Sequence, residues 1–443
     1  MSRPSAARLE SGDRRPGGSL VSERLQALIA AAGSAANARR WQEAERLWSQ
    51  VRALDPGNVQ ALFSLGVHAH QRGDARGALE LLEAARAIAP ADPMLALTLG
   101  VVHRDLGDGA AEWNAIHAAL GLDPYFLPAL LAKGEFLEHA GRVPAAAAVF
   151  RDALKVAPPR PHWPPALQRR LEHASGVVAR DGEALAAFLE QALAAPRQAV
   201  APAVAGRWDE AVSILAGRSR PYHSECNQLH VPRLPAQPFH DPTLFPWIPG
   251  LEARTPEILA ELEALVAERF DRFQPYIAYR PDQPVNQWEA LNHSRAWSSF
   301  HLWAHGDPVP GNIAQCPATA DALAAVDTVD IAGLCPNAMF SALAPHTHIP
   351  PHTGETNARL VAHLPLVVPP DCSFRVGHDR RGWEPGKVFV FDDTIEHEAR
   401  NDSDRLRVVL IFDVWNPLLS LEERAMVQAL ARAMRDYRAA TGA

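Results

Sequence analysis

A fixed step of 34 residues runs through the N-terminal part of this chain and limits its fold more than any other feature. Pro56, Pro90, Pro124 and Pro158 keep the step, as do Gly66, Gly100 and Gly134, and so do the turn signals Gly73-Asp74, Gly107-Asp108 and Gly141-Arg142. Self-similarity at such a period marks a repeat architecture in which each unit is one supersecondary element. Between these marks the pattern is helical. Ala78, Leu82 and Ala85 in one unit, and Ala146, Phe150 and Ala153 in another, set small or apolar residues where two helices must cross closely. A helix pair of this length cannot bury its apolar face alone, so the units stack and leave a concave groove. One unit departs from the pattern, with Glu112 at the small-residue position, and the stretch before Pro56 keeps Ala44 and Trp48 but lacks the glycine. The count is three well-formed repeats and one degenerate cap.

This unit resembles the tetratricopeptide repeat, over residues 23–160. The resemblance implies an α-solenoid whose groove holds a polypeptide substrate or a protein partner, or serves as an assembly module. Residues 1–22 have no apolar core of signal-peptide length and are expected to form a disordered tip. Residues 161–217 continue as Ala/Leu/Glu/Arg-rich helices, a cap or bridge. In 218–250 the composition changes: seven prolines between Pro221 and Pro249 exclude regular helix and central strand, which makes this a linker or an extended arm on the next domain. The last part, 251–443, opens with a helix expected to have Thr255 as N-cap and Pro256 in its first turn, and closes with one from Leu421, capped by Ser420 with Glu423 three residues on.

The chain of 443 residues has a formal net charge of −8 with both signs interspersed, so no basic stripe points to a nucleic-acid partner. Cys226, Cys316, Cys335 and Cys372 form no CxxC pair, which fits neither a structural zinc site nor a disulfide framework. No segment carries the roughly 18 uninterrupted apolar residues of a membrane span. A soluble cytoplasmic protein is expected.

Between Phe340 and Trp415 the period changes from helix to strand. Arg359–Val368, Lys387–Phe391 and Leu406–Trp415 are rich in Val, Leu, Ile and Phe and alternate with Pro, Gly and Asp/Asn turns, which predicts an antiparallel barrel or sandwich with polar groups facing inward. Six of the chain's 19 histidines fall between His346 and His397. On Leu406–Trp415, alternation puts Arg407 on a face with Val409 and Ile411, opposite the apolar row Leu406, Val408, Leu410, Phe412 and Val414. An arginine in that setting needs an anion, because its charge cannot be shed. The anion is an internal carboxylate such as Asp392 or Asp393, or a bound one. Arg359, Val361 and His363 likewise share one face of their strand, as a pocket wall or as a solvent-facing row on an edge strand. His352 and His397 stand 45 residues apart at turn-to-strand junctions, which an antiparallel barrel can bring together.

The segments FSALAP, PHTGETNARLVAHL and GKVFVFDDTIEHEA, followed by Arg407 before VVLIFDVWNP, resemble in order the aspartyl/asparaginyl β-hydroxylase family of iron(II)- and 2-oxoglutarate-dependent oxygenases. Weaker echoes lie upstream in LPAQPFHDPTLFPWIPGLE and WSSFHLW. The resemblance implies a double-stranded β-helix, or jelly roll, giving a multidomain α + β chain. It implies that His352 and His397 bind Fe(II), and that Arg407, helped by Ser341, holds the distal carboxylate of 2-oxoglutarate. His363 would lie beside the metal-proximal carboxylate, and Arg359 would contact the co-substrate or an acidic substrate side chain. Most such iron sites add a carboxylate two residues after the first histidine; Gly354 stands there, as fits a family with two protein ligands. Asp392 or Asp393 would orient the ligands or a water, with Asp393 the one expected to take part in catalysis. The family usually reads RLR where this chain has Arg359-Leu360-Val361, so one co-substrate-facing arginine is missing.

His346-x-His348 with Glu355 looks like a cupin ligand set but has the wrong spacing, and both histidines are expected at the pocket mouth. The Cys316/Cys335 pair is similar to a disulfide in secreted family members, though spacing does not establish one. The expected reaction is β-hydroxylation of an aspartyl or asparaginyl residue in a polypeptide. The alternatives are hydroxylation of a small molecule or lipid on the same fold, and a catalytically inactive repeat-based binding protein.

Overall fold

The computed structural model describes residues 17–160 and 163–441. The chain divides into two compact units with the boundary between Ala195 and Pro196, Leu215–Arg218 belonging to the first.

Four helix pairs build the repeats: α1 (Gly17–Asn37) with α2 (Trp41–Leu54), α3 (Val59–Gln71) with α4 (Ala75–Ile88), α5 (Pro93–Asp105) with α6 (Gly109–Leu122), and α7 (Leu127–His139) with α8 (Val143–Val156). The periodic residues explain themselves. Gly73, Gly107 and Gly141 turn the last three pairs at positive φ (87°, 76° and 72°), the left-handed region open to glycine, and Arg39 turns the first at 58°. Asp74 and Asp108 then cap the second helix by accepting from Gly77 N and Ala111 N. Gly134 sits where a Cβ would come within 2.3 Å of the Phe150 ring, so its missing side chain is the room Phe150 occupies. In the first pair the equivalent position is Ala32, fully buried with Ala35 against Ala44 and Trp48. Residues 17–22, expected to be disordered, lie in α1, and residues 1–16 lie outside the described residues. The helices Pro165–Gln198 and Pro202–Leu215 follow, in the region read as a cap or bridge.

The second unit holds β1 (Gln274–Pro275), β2 (Trp297–Ala304), β3 (Asp307–Pro308), β4 (Ala338–Leu343), β5 (Thr347–His352), β6 (Arg359–Val367), β7 (Cys372–Val376), β8 (Asp379–Arg381), β9 (Phe389–Phe391), β10 (His397–Asn401) and β11 (Arg407–Trp415). They form a larger sheet ordered β1-β2-β4-β11-β6-β9, with β3 on β2, and a smaller one ordered β5-β10-β7-β8. Every pairing is antiparallel. From β4 onward the strands alternate between the two sheets, except that β7 and β8 form a hairpin in the smaller one, an order that fits a double-stranded β-helix.

The larger sheet has two differently used faces. Val408, Leu410, Phe412 and Val414 of β11 join Leu360, Ala362 and Leu364 of β6 in an apolar core with Ile258, Leu262 and Leu265 of the helix Thr255–Arg269. Arg359, Val361 and His363 of β6 and Arg407, Ile411 and Asp413 of β11 face the other way, into the space between the sheets. Strand β6 lies between β11 and β9, so the edge-strand alternative for Arg359, Val361 and His363 does not hold.

The proline-rich stretch is an arm on this domain: Phe239 bridges Phe391, Leu229 bridges Thr356, and His240 N donates to Val390 O. Thr255 is the first residue of its helix and not its cap; Arg254 precedes it, and the Thr255 hydroxyl is buried without a partner. At the C-terminal helix Leu421–Thr441 the expected capping box is present, Ser420 N donating to Glu423 Oε2 at 2.8 Å and Glu423 N to Ser420 Oγ at 3.3 Å. All four cysteines are free thiols, Cys316 and Cys335 both buried.

Candidate active site

The inward faces of the two sheets enclose a cavity of about 420 Å³. His352, at the end of β5, and His397, at the start of β10, are paired across the smaller sheet with ring centroids 4.0 Å apart. A β-bulge makes this possible. From His397 to Ala399 β10 advances two residues, while from His352 to Ile349 β5 advances three. The extra residue reverses the alternation, so Thr347 and Ile349 face inward and His352 does as well. Pro350 and Pro351 occupy the bulge, on an edge strand where missing N–H groups cost least.

The same alternation turns His348 outward, where its Nε2 lies 2.7 Å from Glu398; His346 lies 2.8 Å from Asp404 and is exposed. Neither lines the cavity, so the expected place for them at its mouth is corrected.

Both inward histidines are tautomerically fixed. His352 Nδ1 is 2.8 Å from Pro350 O and His397 Nδ1 is 3.1 Å from Ile395 O. A carbonyl only accepts, so each Nδ1 carries the proton and each Nε2 keeps a lone pair. Burial pushes the His352 imidazole down to about 4 and that of His397 well below its ordinary value, so both are neutral at physiological pH. Two neutral imidazoles with free Nε2 atoms are suited to a divalent metal.

No cluster of three His, Cys, Asp or Glu side chains placed to share a metal occurs among the described residues. The reason is visible at Gly354. A Cβ there would lie 1.9 Å from Asp393 Oδ2, so the space of a side chain at 354 is filled by a carboxylate from another segment. Asp393 is buried, its Oδ1 has no hydrogen-bond partner, and burial raises its pKa to about 7 against the opposing pull of Arg359. Asp392 has a different role. It accepts from Thr394 N and Thr394 Oγ1 at 3.0 and 2.5 Å and from Ser224 Oγ at 3.2 Å, and so holds the turn that leads to His397.

The two arginines of the sequence reading are treated in opposite ways. Arg407 is 1% exposed and makes no ion pair among the described residues, so the internal-carboxylate alternative, Asp392 or Asp393, is ruled out. Its Nη1 makes a long 3.5 Å hydrogen bond to Ser341 O, its Nε has no partner, and its guanidinium lies 4.7 Å from the Trp383 ring. Burial lowers its pKa to about 10, so it remains charged. Arg359, also buried, lies 2.8 Å from Asp393, 3.0 Å from Glu355 and 3.5 Å from Asp413. It lines the cavity, where contact with the co-substrate or an acidic substrate side chain is expected, but its charge is already met by carboxylates of the protein.

His363 accepts at Nδ1 from Trp383 Nε1 at 3.1 Å, which leaves the proton on Nε2, and burial keeps the ring neutral. Ser341 Oγ accepts from Trp297 Nε1 at 3.1 Å. Ser341, His363, Arg407 and the two paired histidines thus line one cavity. Val361 is on its wall.

Sequence reasoning did not assign Tyr276, Trp288 or Trp383 to the site. Tyr276 stacks on Trp297 at 4.1 Å, and Trp288 meets His352 edge-on at 5.0 Å. These aromatics come from irregular segments without periodicity; an isolated Trp among Arg and Gly, as in RRGWEPG, was the only available signal for Trp383.

The second unit is thus an antiparallel β-domain whose cavity brings together two neutral histidines and a buried guanidinium with no carboxylate partner among the described residues. Residues 252–417 match the family model Aspartyl/Asparaginyl beta-hydroxylase, and residues 29–93 and 97–161 match the tetratricopeptide repeat model. The chain belongs to the aspartyl/asparaginyl β-hydroxylase family and carries N-terminal tetratricopeptide repeats.

Among its relatives, the aspartyl/asparaginyl beta-hydroxylase of Mus musculus is 37% identical over 145 residues, 32% of this chain and 19% of that protein. The ornithine lipid ester-linked acyl 2-hydroxylase of Rhizobium tropici is 35% identical over 202 residues, 44% of this chain and 67% of that protein. Human aspartate beta-hydroxylase domain-containing protein 2 is 31% identical over 217 residues, 46% of this chain and 54% of that protein. The match thus spans about a fifth of the mouse protein's length. Among the described residues no helix is long and apolar enough to cross a membrane.

Proposed function

We propose that the β-domain is an Fe(II)- and 2-oxoglutarate-dependent dioxygenase. The observation that carries this reading is Arg407, a buried guanidinium with no carboxylate partner among the described residues, in the cavity that also holds two neutral histidines with free Nε2 atoms. A buried charge without a partner is costly, so a site that keeps one is built for an anion. His352 and His397 would hold Fe(II), whose bound form supplies the activation of dioxygen. Arg407 and Ser341 would bind the distal carboxylate of 2-oxoglutarate, with His363 Nε2–H available to its other end. Asp393 would accept from a water beside the metal. The net reaction consumes one C–H substrate, dioxygen and 2-oxoglutarate, and yields the alcohol, succinate and carbon dioxide; one oxygen atom enters the substrate and the other enters succinate.

The substrate reading is a methylene next to a carbonyl carbon. The β-carbon of an aspartyl or asparaginyl residue and C2 of an ester-linked acyl chain share that chemistry, and the names of the mouse and Rhizobium tropici relatives supply both cases. The repeats favour the first, a polypeptide held in or near the groove of the solenoid, in a cytoplasmic setting. The lipid reading is supported by the longer coverage of the Rhizobium tropici enzyme.

The test is anaerobic loading with Fe(II), admission of air, and measurement of succinate from 2-oxoglutarate, with His397→Ala alongside. Iron-dependent binding of 2-oxoglutarate and succinate formation that needs His397 are expected. A protein that binds neither iron nor 2-oxoglutarate would overturn the proposal and leave the repeats as the functional part.

A further inference from the structure

We propose that the group held beside the reacting carbon is an uncharged carbonyl, a carboxamide or an ester, and not a carboxylate. This rests on the oxygenase reading above, which commits Arg407 to the co-substrate. The remaining charges on the cavity wall are Arg359 against Glu355, Asp393 and Asp413. One guanidinium thus faces three carboxylates, and with Asp393 protonated it still faces two.

Arg359 cannot be redirected to a ligand cheaply. Its side chain is 6% exposed; its Nε and Nη1 lie 3.5 and 2.8 Å from Asp413 and Asp393 as ion pairs without hydrogen-bond geometry, and both atoms are sealed from solvent. Asp413 is held from the other side as well, accepting from Asn337 N at 2.7 Å and Asn337 Nδ2 at 2.8 Å. Val361, the next residue on the Arg359 face, adds no cation. An entering carboxylate therefore meets like charge with no positive group open to it, which disfavours it by at least about tenfold. An uncharged carbonyl avoids this and needs only a neutral donor. Tyr276 lines the cavity, and its hydroxyl has no hydrogen-bond partner among the described residues. His301, on the same wall, is kept neutral by burial, which lowers it to about 4.

The experiment uses the full chain with Fe(II) and saturating 2-oxoglutarate at neutral pH, and three N-acetylated, C-amidated tripeptide probes: Ala-Asn-Ala, Ala-Asp-Ala, and the latter with its aspartyl side chain as the methyl ester. Binding is read anaerobically from the absorbance of the iron form, and turnover from oxygen incorporation by mass. The amide or ester probe is expected to be favoured over the acid at least about tenfold in kcat/KM. Glu355→Gln, which removes one negative charge at the half-exposed end, should narrow that ratio several-fold; a merely structural role for Glu355 would leave it unchanged. An acid probe handled as well as the amide, an unchanged ratio in Glu355→Gln, or no binding of any probe would each overturn the proposal. Failure of the oxygenase reading is seen separately, as absence of iron-dependent 2-oxoglutarate binding before any probe is added.

Discussion

Replacing Arg407 with Met keeps an unbranched apolar stem and removes the guanidinium, and it should move stability and ligand affinity in opposite directions. On the ligand side, the change deletes a charge-assisted contact worth about 1.5–3 kcal/mol. At 1.4 kcal/mol per factor of ten, that weakens 2-oxoglutarate binding by roughly 10- to 150-fold. On the stability side, Arg407 has no carboxylate partner, one long 3.5 Å hydrogen bond, and a ring contact at 4.7 Å to Trp383. A ring contact of that kind returns about 1–2 kcal/mol, while burying an unpaired charge costs several. Arg407→Met should therefore stabilise the ligand-free protein by something on the order of 1–3 kcal/mol. Urea unfolding of ligand-free protein gives the first quantity, and calorimetric titration of the anaerobic iron form with 2-oxoglutarate gives the second. In the parent chain added 2-oxoglutarate should raise the midpoint, and in the variant that increment should shrink. A variant less stable than the parent and with unchanged affinity would show Arg407 to be a structural residue and refute the reasoning.

His352→Ala and His397→Ala should each abolish Fe(II) binding with the far-ultraviolet circular dichroism unchanged; retained stoichiometric iron would remove the ligand assignment. His240, His301 and His352 are each lowered by burial to about 4 from 6.5, so the unfolded chain binds more protons than the folded one between those values. Metal-free protein should consequently lose stability as pH falls from 6.5 toward 4, each fully desolvated imidazole contributing up to about 1.4 kcal/mol per pH unit; urea midpoints flat across that window would contradict it. Gly354→Asp, made to supply a carboxylate as third ligand, should destabilise the domain and impair iron binding because its Cβ collides with Asp393, and Asp393→Ala in the same chain should relieve the destabilisation. Gly134→Ala should cost the repeats about 1–3 kcal/mol through overpacking on Phe150, read as an earlier unfolding transition, and leave 2-oxoglutarate affinity unchanged.

What was legible in the sequence followed from period and from obligatory geometry. The 34-residue step located the helix pairs because glycine at a close crossing and at a left-handed turn has few substitutes, as Gly134 and Gly141 illustrate. Alternation on Leu406–Trp415 gave the correct inward face of β11, since one face is wholly apolar and a slip of one residue would bury the arginine in the helix-facing core. What was hidden depends on partners far apart in the chain. Period-2 counting puts His348 and His352 on one face, and only the bulge at Pro350-Pro351 separates them. Asp392 and Asp393 are adjacent and chemically alike; the turn formed with Ser224 and Thr394 decides which one reaches the cavity.

The contrast between Arg359 and Arg407 lies beyond any local pattern, because both stand on alternating strands amid apolar neighbours. Arg359 pairs in register with Trp415, at the end of β11 that also carries Asp413, and the loop ending at His397 brings Asp393 to it, so its charge is neutralised as the sheets close. Arg407 begins β11 at the opposite end, opposite Leu343 of β4, where the neighbouring groups are a serine carbonyl, two indoles and a neutral imidazole. Folding alone therefore leaves one end of the cavity positive and uncompensated and the other slightly negative. The proposed dicarboxylate co-substrate, with one carboxylate on Arg407, would match the first end, and the same polarity would turn a second carboxylate away from the other. The orientation of ligands in the cavity would thus be set by which carboxylates the β-strands carry to which end, before any ligand arrives.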